Sequence, residues 1–297
     1  MIKRKRQLQI WYASGVTCYY QAGRSLDKLD RPQVAFGPSN KSTEFGFHGY
    51  SAPGSVIPGL GRNRLVCFSH EEYWPSQDNH FPFQAAIGIH LSKNNGQNWQ
   101  KKTTLTLGYR LKTNSERILG VGQPNVLIKD NQVFLYYTNW STNGPDTIHL
   151  ARAPRNNLTN PQAWQRYTRS GFARLDSEES VAVLPPPTQE ANTSYTALAS
   201  TSHNDHLGKF LICFETNIGF YLATSADAIS WDTPQLVARF PQPHAQRKPG
   251  DTWYSYPTLL SPKARSDRET SQTGYLYYSC GIWGQHHLMA RKEFSIG

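Results

Sequence analysis

The chain has 297 residues, with 31 Lys and Arg against 21 Asp and Glu and a formal charge of +10. That length buries a substantial core, and the lack of any linker-like or low-complexity stretch reads as one domain over residues 1–297. No run approaches the ~20 apolar residues of a membrane-crossing helix, and the basic residues are scattered, so composition argues against a nucleic-acid footprint while an anionic ligand stays open.

The N-terminal run Lys3-Arg4-Lys5-Arg6 has the charge of a leader's opening segment, but no long apolar core or small-residue cleavage site follows. The expectation is a cytoplasmic chain or a mature secreted form without its leader. Within residues 1–47, Leu8 to Tyr12 reads as a strand that closes a ring with the C-terminal unit, and the remainder as a further blade or irregular structure.

From residue 51 onward a three-part phrase recurs: a polar or Pro-containing opener with an apolar strand, an aromatic strand, and a third strand. It reads Ser51 to Ile57, Arg64 to Phe68 and Ala86 to Leu91, then Val121 to Ile128, Val133 to Tyr137 and Thr147 to Arg152. The later copies are Glu178 to Val183, Lys209 to Phe214 and Gly219 to Thr224, and Tyr254 to Leu260, Gly274 to Tyr278 and His287 to Arg291. Units start roughly 55 to 75 residues apart, the spacing of four-stranded propeller blades with decorated loops.

Sixteen Tyr, 8 Trp, 22 Gly and 19 Pro suit many short strands and turns, and the predicted class is an all-β, five-bladed propeller of four-stranded antiparallel blades. Leu158 to Arg166 is the one candidate helix. Ser92 to Trp99 and Ser225 to Trp231 read as turns in which Ser, Asn or Asp side chains bond the backbone and the Trp plugs the space beside it. Cys18, Cys67, Cys213 and Cys280 lack zinc spacing and read as free thiols, three of them inside strands.

In such blades the start of the first strand and the end of the second lie on one face. The openers there are His48 to Pro53, Gln123, Asp176 with Glu178 and Glu179, and Asp251 to Tyr256. Loops after the second strands add His70 to Trp74, Asn139-Trp140, Glu215 to Asn217, and Trp283 to His286. Carboxylates, imidazoles, amides and aromatic faces are what a sugar site needs.

These openers, the Leu-Tyr-Tyr strands, the Ser225-Ala226-Asp227 to Trp231 turn and the Tyr256-Pro257-Thr258 to Tyr278 unit resemble the five-bladed β-propeller glycoside hydrolases. The likeness is to the arabinanase and β-xylosidase type around family 43, over roughly residues 48 to 297. It implies glycoside cleavage by an Asp base at the first opener, an Asp that tunes pKa at a later one, and a Glu acid in a further blade. Here the first position falls within Ser51 to Gly54 and the second holds Gln123, so neither aspartate is present; Glu178 with Glu179 matches the third. Asn94 to Trp99 also approximates the Asp-box of sialidases, a reading ranked lower because three arginines cannot be placed on the same face.

Glycoside cleavage uses two carboxyl groups, one protonated to meet the leaving oxygen. Glu178 is the general-acid candidate, and Glu215, Glu71 or Asp176 its candidate partner. His48, Trp74, Gln123, Asn139, Trp140, Glu179, Tyr256, Trp283 and His286 are candidates for holding a carbohydrate ligand. No cofactor is expected beyond a possible calcium ion in the central channel, for which no acidic motif appears. The alternatives are a catalytically silent carbohydrate-binding propeller and a propeller recruited to non-glycosidic chemistry.

Overall fold

A computed structural model of the chain describes all residues except 5, 6, 111–115, 141–144, 185–194, 263, 283, 284 and 286. The described residues are strands and turns, with 3-10 turns at Pro161–Ala163 and His244–Gln246. They form two compact units: Met1–Leu135, Asn139–Asn143 and Ala151–Val181 make one, and Tyr136–Thr138, Gly144–Leu150 and Ala182–Gly297 the other.

In the first unit the strand Gln7–Ser14, which contains Leu8 to Tyr12, pairs with Ile2–Arg4 on one side and Thr17–Ser25 on the other. One edge is thus taken by Thr17–Ser25 from Leu8 to Ser14 and the other by Ile2–Arg4 at Gln7, Leu8 and Gln9, and Gln33–Phe36 extends the same sheet. Next come Gly46–Pro58, Leu65–Trp74, Gln84–Ser92 and Gln100–Leu105, an antiparallel run in which Ser51 faces Glu71 and Val56 faces Cys67. Ile2, Val56, Leu65 and Cys67 pack together beneath Trp11, Phe36 and Trp99. Leu119–Lys129 and Gln132–Asn139 are joined by Asp130 and Asn131, both at positive φ, the backbone of a tight hairpin turn.

The segment Leu158 to Arg166 is not a helix. Asn160 caps a single 3-10 turn that starts at Pro161, and buried Trp164, whose indole N–H donates to the Leu158 carbonyl, sends the chain directly into the strand Gln165–Thr168.

The second unit holds Ala197–Asn204, Lys209–Glu215, Gly219–Ser225 and Gln235–Arg239, followed by Thr252–Leu260, Thr273–Ile282 and His287–Ser295. Leu211, Cys213, Phe220, Phe240, Leu259 and Leu276 form its core. The first strand of this sheet is Ala197–Asn204, not the Glu178 to Val183 stretch that the repeat suggested. Residues 182–184 instead pair with Thr147–Pro154. Ala197–Asn204 escaped the repeat because it carries Ser, Thr and Ala in place of the Pro-containing apolar opener, and it buries those small hydroxyls against neighbours.

One backbone device recurs. Ladder register breaks between Ala197 and Ser200 and between Ser255 and Thr258, where Leu198 and Tyr256 take φ of 56° and 61°, and Gln123 within Leu119–Lys129 takes 52°. That region costs a non-Gly residue on the order of 1 kcal/mol. Each of the three spends its N–H on a side chain of an earlier strand: Gln123 on His70 Nδ1, Leu198 on Thr138 Oγ1 and Tyr256 on Glu215 Oε2. At Leu198 and Tyr256 the bulge re-aims the backbone, and the accepting side chain fixes it.

Both Trp-bearing turns are built as local staples. Ser92 and Asn94 take the Gly96 and Asn98 N–H groups, and the Trp99 indole donates to the Gly96 carbonyl. Ser225 and Asp227 take the N–H groups of Ala228, Ile229 and Ser230. All four cysteines are free thiols; Cys18, Cys67 and Cys213 are buried and Cys280 half-buried.

Candidate functional site

The stretch His70 to Trp74 lies inside the strand Leu65–Trp74 rather than in a loop after it, because pairing continues to Tyr73 on both sides. Alternation then sends Ser69, Glu71 and Tyr73 to one face and His70, Glu72 and Trp74 to the other. Adjacent carboxylates in sequence thus serve two separate constellations.

On the first face Glu71 is fully buried. Its Oε1 accepts from Ser51 Oγ at 2.9 Å, from Ser69 Oγ, and from His90 Nε2 at 3.1 Å; its Oε2 accepts from Lys101 Nζ at 3.0 Å and from His48 Nε2. The Ser39 N–H donates to His48 Nδ1 at 3.0 Å, so that nitrogen is unprotonated and Nε2 carries the proton given to Glu71. Burial alone would raise the Glu71 pKa, but the His48 and His90 hydrogen bonds and the Lys101 charge outweigh it and hold the group well below the usual carboxylate value. Burial would likewise neutralise Lys101, and the Glu71 charge keeps it raised instead.

On the opposite face Glu72 accepts from the Trp74 indole N–H at 3.1 Å and from His70 Nε2 at 3.2 Å. The Gln123 N–H on His70 Nδ1 fixes the tautomer that donates to Glu72. Around His70 stand Tyr50, Phe83 and Trp140, with ring centroids 5.8 to 6.2 Å away. Gly122 is required by close approach: a Cβ there would meet His70 Nδ1 at 2.3 Å and the Trp140 ring at 2.9 Å. Glu72 keeps 18% of its side chain exposed, so lone pairs remain for a ligand hydroxyl.

In the second unit Glu215, 3% exposed, accepts from Ser255 Oγ at 2.6 Å, Tyr195 Oη at 2.8 Å and the Tyr256 N–H at 3.3 Å. Burial pushes its carboxyl up to about 7, with those three donors and the Arg247 charge only partly opposing it. Tyr195 also hydrogen-bonds His244 Nδ1, and its single phenol proton goes to Glu215 when His244 carries its own proton on Nδ1 and donates to Tyr195 Oη. Burial lowers His244 to about 4, consistent with a neutral ring, and the ring stacks on Trp253 at 4.2 Å. Tyr256, in its left-handed conformation, projects a 57% exposed ring from this cluster.

Of the sequence candidates, the structure thus joins His48 to Glu71, gathers Trp74, Gln123 and Trp140 around His70 and Glu72, and sets Tyr256 against Glu215. Asn139 is buried and donates to Tyr109 Oη at 2.7 Å. Asp176, Glu178 and Glu179 lie on the loop after Gly171–Arg174, not at the start of a sheet's first strand. There Asp176 pairs with exposed Arg174, and the Glu178 carbonyl accepts from Arg166 Nε at 2.8 Å. Trp283 and His286 lie outside the described residues.

Ser69, His90, Lys101, Tyr195 and His244 were not singled out from sequence, and Ser51, Glu72 and Ser255 entered only within the stretches His48 to Pro53, His70 to Trp74 and Asp251 to Tyr256. Only Glu72 left a signal, the period-two spacing His70, Glu72, Trp74. Among the described residues no group of three or more His, Cys, Asp or Glu side chains is placed to hold a metal ion.

No family model and no curated protein matches the chain. Solved structures do. An α-L-arabinofuranosidase from Lactobacillus brevis superposes with a TM-score of 0.62 at 8% identity, covering 98% of this chain and 88% of that one. An endo-arabinase from Bacteroides thetaiotaomicron gives 0.57 at 11% identity, covering 98% and 90%. An α-L-arabinofuranosidase from Podospora anserina, solved in complex with cellotriose, gives 0.53 at 10% identity, covering 98% and 87%. At these identities the likeness establishes the fold, that of the propeller glycoside hydrolases, over nearly the whole chain.

Proposed function

We propose that this chain is a five-bladed, glycoside-hydrolase-like propeller that acts on a glycan. The observation that carries this reading is the half-buried face around Glu72. A carboxyl group oriented by His70 and Trp74, and still open to solvent, sits beside an imidazole that is ringed by Tyr50, Phe83 and Trp140. Aromatic faces stack on the C–H side of a sugar ring while a partly used carboxylate and an amide such as Gln123 take its hydroxyls. Relatives of this fold act on arabinose-containing glycans by their names, and one was solved with cellotriose, which fits a carbohydrate ligand here.

For the proton that glycoside cleavage needs, Glu215 has the suitable protonation near neutral pH, while Glu72, Asp176 and Glu178 have solvent access. A second reading, carbohydrate binding without turnover, is favoured by the openers Ser51 to Gly54 and Gln123, which carry no aspartate, and by the sealing of Glu71 inside its sheet.

Hydrolysis and binding of arabinosyl, xylosyl, galactosyl and fructosyl substrates by the wild type and by Glu72→Gln, Glu178→Gln and Glu215→Gln separate the two. Turnover that one variant loses while retaining binding supports cleavage and names the group. Binding without turnover in the wild type supports the second reading, and neither activity on any substrate sinks both.

A further inference from the structure

On the Glu71 face a pocket of about 550 Å³ opens between the segment 36–48 and the strands Leu65–Trp74, Gln84–Ser92 and Gln100–Leu105. It lies on the side of its sheet opposite to Glu72 and is built from the first unit alone. Its walls are aromatic: Phe36 stacks on His90 at 4.2 Å and meets Trp99 edge-on, and Phe45 meets Tyr73 edge-on at 5.3 Å. That volume and lining suit a small organic ligand.

Its polar groups come as a matched pair. Lys101 and His90 are direct cross-strand partners. Lys101 Nζ spends two of its three N–H bonds on Glu71 and Tyr73, leaving one donor, with 30% of the side chain exposed. His90 is 4% exposed at its side chain and commits Nε2 to Glu71 and Ser69, while its Nδ1 has no partner among the described residues. With Nε2–H given to a carboxylate, Nδ1 is a bare acceptor at the pocket wall. One donor and one acceptor on directly paired residues of the pocket lining suit the hydroxyl groups of one ring, each of which both donates and accepts.

Charge disfavours an anion. The Lys101 charge is offset by Glu71, and Glu44 at the rim adds a negative charge, so an anion gains no net attraction. We propose that this pocket is a second carbohydrate site that takes one neutral sugar ring, stacked against its aromatic wall with a vicinal diol bridging Lys101 Nζ and His90 Nδ1. The assignment rests on the carbohydrate reading above but concerns the other face of the sheet.

The test is an NMR titration of the full chain with methyl glycosides of arabinose, xylose, galactose and glucose, following the indole N–H resonances of Trp99 and Trp140. The expected result is a saturable Trp99 shift with its own midpoint, weakened about tenfold by Phe45→Ala and unchanged by Glu44→Ala because the ligand is neutral, with Trp140 unmoved by either variant. Methyl 3-deoxyglucoside, whose ring has no vicinal diol, should bind about threefold more weakly than methyl glucoside, which keeps the result interpretable even where Phe45→Ala perturbs packing. A Trp140 shift with Trp99 static overturns the second site and leaves the main reading standing. A Trp99 shift that neither Phe45→Ala nor the deoxy ligand weakens also overturns it, and no shift at either indole with any glycoside removes both.

Discussion

Glu71 in the first unit and Glu215 in the second are equally sequestered carboxyl groups that meet opposite fates. Glu71 is surrounded by two imidazoles and an ammonium and is held ionised, whereas Glu215 meets two hydroxyls and one backbone N–H and is pushed up to about 7. Burial is a penalty in both; what differs is the groups in contact, an ammonium bonded to Glu71 but only dipoles bonded to Glu215, where the Arg247 charge opposes burial only in part. A hydroxyl can serve a neutral carboxyl nearly as well as a charged one, but an ammonium ion cannot.

The largest effect should come from removing the charge that distinguishes them. Lys101→Met leaves Glu71 buried without its cation and should cost about 4 kcal/mol of stability, read by urea unfolding at pH 7. A loss below about 1 kcal/mol would mean that the two imidazoles suffice.

Next comes Glu215, whose folded pKa lies above its ordinary value of 4.5, so the folded state binds the proton more tightly. Its contribution is fully present below pH 4.5 and is lost as pH rises toward 7, by about 3 kcal/mol at most. Glu215→Gln, which keeps the neutral shape, should flatten this slope and raise the melting temperature at pH 8. Glu71 has the reverse sign: its contribution is present above the unfolded carboxylate range and disappears as pH falls through its depressed folded value. Stability curves of the wild type and both Gln variants between pH 3 and pH 8 would reveal whether the two slopes oppose each other.

Gly88→Ala sharpens the contrast from the packing side. A Cβ there would lie 2.3 Å from Glu71 Oε1 and 2.4 Å from Ser69 Oγ, so a loss of about 2 kcal/mol is expected, with no counterpart at Glu215. The smallest effect on folding belongs to Trp140→Ala, expected to weaken glycan binding about tenfold, measured by calorimetry against an unchanged unfolding midpoint.

The repeat and the strand-rich composition already conveyed the all-β class, the strands from Leu65 to Phe68, Val133 to Tyr137 and Gly274 to Tyr278, and both Trp-bearing turns. These are local signals: β-branched and aromatic runs, and Ser or Asp side chains bonding N–H groups two to four residues ahead. The opener of the third unit was misplaced because Ala197–Asn204 has no Pro and no apolar run, only small side chains whose burial depends on neighbours distant in sequence.

The site was less legible than the fold for the same reason. Composition placed His48, Glu71, Trp140, Glu215 and Tyr256 among the candidates, but whether Glu71 and Glu72 form one charged pair or two separate centres turns on how far one strand continues. That extent is decided by pairing with Gly46–Pro58 and Gln84–Ser92, whose partners lie up to 27 residues away. Residue types and their periodicity are written in the chain; which carboxyl group meets Lys101 and which meets Tyr195 is decided only when distant strands pack. Protonation follows from those neighbours.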